Sequence, residues 1–80
     1  IPATDVKIYP NPASSQLSIT APYGTRKVEA TIYTANGSLV KTEWLSKRNN
    51  QIDIEALPHG LYFISLNGEK IQHVSSFQKL

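Results

Sequence analysis

The sequence predicts an all-β sandwich of seven short antiparallel strands, and three observations predict it. Apolar residues recur with a period of two almost throughout, which puts one face of each segment on a core and the other in solvent. Turn signals interrupt that alternation about every 8–12 residues, the spacing of sandwich strands. No segment keeps a 3.6-residue period for more than about one helical turn.

The elements follow in order. Val6 and Ile8 alternate in a first strand. Pro10-Asn11-Pro12 ends it, because the two prolines lack backbone donors and force extension on the residues before them. Leu17 and Ile19 mark the second strand, and Ala21-Pro22-Tyr23-Gly24 a loop. Val28, Ala30 and Ile32 alternate over residues 27–33, with Glu29 on the solvent phase. Asn36-Gly37 sits between two strand-like runs and predicts a type I′ hairpin, which needs positive φ at both central positions. Residues 39–45, with Val40 and Trp44, form the next run, and 46–49 a loop. Ile52 and Ile54 alternate around Asp53, and residues 53–57 leave room for one helical turn. Pro58-His59-Gly60 offers a fixed φ and then a residue free for left-handed backbone, a turn before the strand of Tyr62, Ile64 and Leu66. Asn67-Gly68 predicts a second type I′ hairpin. In the final stretch, 69–80, Ile71, Val74 and Phe77 keep no common phase, which predicts a bulge or break and a weakly held end. The predicted interior is Val6, Ile8, Leu17, Ile19, Val28, Ile32, Val40, Ile52, Ile54, Tyr62, Ile64 and Leu66.

Composition narrows the function classes. Eighty residues make one domain, 1–80, with residues 1–4 read as linker. A chain this short buries only about 60% of the surface it exposes when unfolded. It contains no Cys, so packing and strand pairing must hold it without disulfides or thiolate zinc. The net charge is +2, and only Arg26-Lys27 and Lys47-Arg48 are adjacent basic pairs, not the basic stripe of a nucleic-acid binder. No apolar run approaches the roughly 20 residues of a membrane span, and residues 1–20 show no signal peptide. The absence of Met predicts a processed or excised segment, with Ile1 not a native start.

Candidates for chemistry are weak. His59 lies in a turn and His73 on the last strand, without the spacing of a metal pair. The carboxylates, among them Glu29 and Asp53, read as solvated strand faces rather than an acid/base pair. Asn36-Gly37-Ser38 matches a glycosylation acceptor, but the hairpin explains the same residues. Tyr9, Tyr33, Trp44 and Phe63 are the aromatics that a sugar platform would use; Tyr33 and Phe63 fall out of phase with the apolar face of their strands. No cofactor is predicted, and no catalytic or metal-binding residue.

Four segments in order carry a resemblance: VKIYPNPA at 6–13, ATIYTANGSLVK at 30–41, IDIEALPHGLYFI at 52–64, and a strand ending FQKL at 77–80. Together they resemble the C-terminal sorting domain of the type IX (Por) secretion system, over the whole chain. The resemblance implies a seven-stranded immunoglobulin-like antiparallel β-sandwich. It implies a secretion signal and not an enzyme: a domain that directs cargo from the periplasm of a Gram-negative bacterium through the outer membrane, to be secreted or held at the cell surface. The implied partners are the outer-membrane translocon and a sortase-like cysteine protease that commonly removes the domain. The motif positions carried over are Pro10, Asn11, Pro12, Gly37, Gly60 and Tyr62. The family's terminal signal falls here on Val74, Ser75, Ser76, Phe77, Gln78, Lys79 and Leu80, with Phe77 and Leu80 as apolar anchors; a weakly held, proline-free end can add as a strand to a partner's sheet edge. This end is less basic and less β-branched than the family's common pattern.

Two other classes fit the physics of the residues: an immunoglobulin-like adhesion or glycan-binding module, which needs an exposed coplanar aromatic cluster, and a spacer between domains.

Overall fold

The computed structural model describes residues 6–21, 27–69 and 71–80. The expected linker at 1–4, Pro22, Tyr23 and Gly24 of the expected loop, and Arg26 lie outside them. Seven strands form: β1 (Lys7–Tyr9), β2 (Gln16–Thr20), β3 (Val28–Thr34), β4 (Leu39–Leu45), β5 (Gln51–Asp53), β6 (Gly60–Asn67) and β7 (Gln72–Lys79). They make two antiparallel sheets, β1-β2-β5 and β4-β3-β6-β7. The architecture is the sandwich that the alternation predicts, in the immunoglobulin-like form that the resemblance implies. No helix among the described residues is long and apolar enough to cross a membrane.

Register explains the core. Val28, Ala30 and Ile32 of β3 face inward, and Leu66 and Ile64 of β6 stand opposite Ala30 and Ile32. From the other sheet Leu17, Ile19 and Ile52 meet them, each at most 1% exposed. Val6, Ile8 and Val40 were expected inside but are only partly buried against this core. They belong to or flank β1 and β4, which are sheet edges with a neighbour on one side only. Ala13, Leu45, Ile71 and Phe77 complete the core.

Two turn expectations are corrected. No described residue other than glycine has positive φ, so the Asn36-Gly37 hairpin is not type I′. Gly37 N–H donates to the Thr34 carbonyl at 3.0 Å, Thr34 N–H donates to the Ser38 carbonyl at 2.8 Å, and Gly37 alone is left-handed, at φ 92°. This is a type I turn followed by a glycine bulge, the common three-residue loop. Gly68 does not have positive φ either. Its role is steric: a Cβ there would lie 2.9 Å from Val28 Cγ2 and 3.2 Å from Ile71 Cγ2.

The expected bulge in the last strand is also absent. β7 pairs with β6 without interruption from Gln72↔Asn67 to Lys79↔Gly60. Ile71, His73, Ser75, Phe77 and Lys79 share the inward phase; Val74 is the residue out of step, 64% exposed on the outer face. Polar residues at 73 and 75 hide the alternation from a reading of apolar positions alone.

Candidate functional site

The Pro10-Asn11-Pro12 segment leaves β1 and crosses to the far sheet. Its two X-Pro peptide bonds are cis. The crossing sets Asn11 and Ala13 against the outer edge of β7. Gln78 N–H donates to Asn11 Oδ1 at 2.9 Å. Ala13 N–H donates to the Gln78 carbonyl, and Leu80 N–H to the Ala13 carbonyl, each at 2.8 Å. Ala13 and Lys79 form a parallel bridge. The side-chain amide of Asn11 thus supplies the acceptor that the next residue of a strand would supply. The whole chain separates these partners in sequence, and the clip joins them.

Pro58-His59-Gly60 delivers the chain into β6. Gly60 takes φ 145°, outside the range comfortable for side chains and distinct from the left-handed helical value expected of it. Two residues on, the Tyr62 hydroxyl donates to the Pro58 carbonyl at 2.6 Å. That closure has the form of the tyrosine corner of immunoglobulin-like sandwiches. The Tyr62 ring stacks on Phe77, with centroids 5.5 Å apart and planes 17° apart.

These contacts gather the separate motifs at one end of the four-stranded sheet. Thr34, where the β3–β4 hairpin begins, pairs with Tyr62. Tyr62 pairs with Phe77, and Gly60 with Lys79. The Gly37 turn, the Gly60-Tyr62 corner, the terminal strand and the proline clip therefore share that end. The side chains are not equivalent. Pro10, Asn11, Pro12, Gly37, Val74, Ser76, Gln78 and Leu80 are exposed; Gly60 and Ser75 are half-buried; Tyr62, Phe77 and Lys79 are buried. Lys79 is 6% exposed and its Nζ donates to the Leu80 carbonyl at 2.8 Å. Its inward partner is Gly60, which has no side chain to compete for the space.

The structure corrects the expectation of a weakly held end. Phe77 is 1% exposed, so it is a core residue and not an anchor offered to a partner's pocket. Leu80 is exposed but tied through its backbone to Ala13. The sequence reading missed Ala13, whose small side chain lets the clip approach, and the Pro58 carbonyl. The spacing of Pro58 to Tyr62 after a glycine turn is the signal that marks the latter.

The aromatics do not form one platform. Tyr33 and Phe63 are cross-strand partners on the outer face of the four-stranded sheet. Trp44 shares that face but pairs with Glu29, four residues from Tyr33, or about 14 Å along β3 at ~3.4 Å per residue. Tyr9 belongs to the other sheet. His59 is exposed in its turn and His73 is half-buried opposite Leu66.

Comparison with known proteins bears on the chain as a whole. Residues 7–79 match the family described as "Secretion system C-terminal sorting domain". Beta-agarase A of Zobellia galactanivorans is 36% identical over 62 residues, which cover 78% of this chain and 12% of the agarase. The chain thus spans about an eighth of the length of that relative.

Proposed function

This chain belongs to the secretion system C-terminal sorting domain family, and from that premise we propose that its folded form, not a loose tail, is the address that the translocon reads. The domain is a C-terminal secretion signal of the type IX system. Such domains mark proteins that are secreted or attached to the surface of Gram-negative bacteria such as Bacteroidetes, and they engage the secretion machinery. The family is one of sorting signals and not of catalysts.

The observation that supports a folded address is the clip. Asn11 and Ala13 hold residues 78–80 on the sheet through three hydrogen bonds. The segment in which the family concentrates its signal is thereby displayed on a fixed surface. In our reading, residues 1–80 are one sorting domain, with 1–4 as linker to the cargo. Val74, Ser76, Gln78 and Leu80 are its contact residues. Pro10, Asn11, Pro12, Gly37, Gly60, Tyr62, Ser75, Phe77 and Lys79 hold that surface in shape. The partner is the outer-membrane translocon, followed by a sortase-like cysteine protease acting near or before Ile1. The chain itself performs no catalysis and takes no cofactor.

The test is a reporter with an inner-membrane signal peptide ahead of it and this chain behind it, in a host with the type IX system. The reporter should reach the medium or the cell surface, and should stay in the periplasm when the translocon gene is deleted. Equal export with and without the chain would overturn the reading.

A further inference from the structure

Four strands form the sheet edges: β1 and β5 in one sheet, β4 and β7 in the other. An exposed edge pairs with any extended chain unless something blunts it, and short length, proline, bulges and inward charges are the usual devices. Three of these edges carry such devices. β1 and β5 are three residues long, and Pro10 follows β1 directly. β4 has a register irregularity against β3 at Ile32/Tyr33. It also carries Lys41 and Glu43, 3.6 Å apart, on its inward phase. Lys41 Nζ reaches across to the Asp53 carbonyl at 2.8 Å.

β7 has none of these along residues 72–78; its one inward charge, Lys79, lies at the end that the clip covers. The strand is eight residues long, unbroken in register, and holds no proline. Residues 72–78 include no Asp, Glu, Lys or Arg. Its edge groups can be assigned from the ladder. In an antiparallel pair, backbone donors and acceptors point alternately toward and away from the neighbour. Gln78 bonds outward, to Asn11 and Ala13. Gln72, Val74 and Ser76 share its phase, so their N–H and C=O groups point away from β6. None of the three has a backbone partner on that side among the described residues. The clip covers the last rungs of this edge and stops short of the others.

We infer that the Gln72, Val74 and Ser76 edge of β7 accepts an extended polypeptide segment of the secretion machinery, which adds to the four-stranded sheet as a fifth strand. This rests on the sorting-domain reading and gives it a specific contact. Unpaired backbone groups in a row define their partner's chemistry: another extended backbone, with side chains on alternate faces. β7 stays in its own sheet while the partner adds to it.

The test uses Val74→Pro in the reporter fusion. Proline removes an N–H that β6 does not use, and is tolerated on an edge strand whose N–H faces solvent. Val74→Thr keeps the N–H and the β-branched shape. Export of Val74→Pro should fall about tenfold or more below that of Val74→Thr, as for a lost backbone hydrogen bond in a small interface, while both domains melt cooperatively. Normal export of a folded Val74→Pro overturns the inference. So does loss of export in Val74→Thr, which would assign recognition to the side chain. Should Val74→Pro fail to fold, Ser76→Lys decides: a charge beside the open edge, on an exposed position, should block export without unfolding, and normal export overturns the inference. A purified wild-type chain that dimerises, and no longer does so as Val74→Pro, also overturns it by giving the edge to a second copy. Failure of the wild-type fusion to export would instead count against the sorting reading.

Discussion

Gln78 donates its backbone N–H to the Asn11 side-chain oxygen at 2.9 Å, across 67 positions of sequence. One side-chain amide thus continues a sheet edge that the backbone leaves off, and it ties the first motif of the chain to its last strand. Asn11→Ala should lose about 1 kcal/mol, the net worth of one hydrogen bond. For a domain of this size that corresponds to a fall of roughly 4–8 °C in Tm. Asn11→Asp keeps the acceptor and should melt near the wild type. Thermal melts of the two variants separate the bond from the bulk of the side chain; equal losses would show that the bond contributes nothing.

Phe77 and Tyr62 form the packed counterpart of the clip. Phe77→Ala opens a cavity in the core and should cost about 3–5 kcal/mol, a large part of the stability of a small domain. Tyr62→Phe keeps the stack and removes only the bond to Pro58, so a loss of about 1 kcal/mol is expected. Urea titrations give both values. Removal of residues 75–80 takes Phe77 with it and should unfold the domain; a cooperative transition in that truncation would contradict the burial of the terminal strand.

Two glycines are required for different reasons. Gly37→Val places a β-branched residue at φ 92° and should destabilise by more than the ~1 kcal/mol of an average substitution. The space around it is open, so Gly37→Asn, which tolerates left-handed backbone, should recover most of the loss. Gly68→Ala meets no such backbone limit but drives a methyl against Val28, which is 1% exposed. Overpacking of about 1–3 kcal/mol is expected there, relieved by Val28→Ala in the same chain. Tm values of the four variants check both arguments.

The strands were legible because their alternation is a local property. Leu17 and Ile19, or Tyr62, Ile64 and Leu66, need no knowledge of their neighbours to declare a buried face. β7 was legible as a strand but not in its phase. Its inward positions 73, 75 and 79 are His, Ser and Lys, so the apolar signal is carried by Ile71 and Phe77 alone and is confused by Val74. The hairpin type was missed because Asn-Gly suits both a type I′ turn and a type I turn with a glycine bulge, and the choice depends on loop length and register. The clip could not be read at all. Its bonds join residues at opposite ends of the chain, and an Asn between two prolines signals a turn without saying what its side chain meets.

The most direct test of the folded address separates fold from linear sequence. Leu17 is fully buried in β2 and lies in none of the motifs. Leu17→Asp puts an unpaired charge in the core, which unfolds a domain of marginal stability, yet leaves the proline clip and residues 74–80 unchanged in sequence. The measurement is export of the reporter carrying Leu17→Asp beside the wild-type fusion, with periplasmic and external fractions quantified. A folded address predicts that the reporter stays in the periplasm; export at the wild-type level, with the isolated domain unfolded, would contradict it.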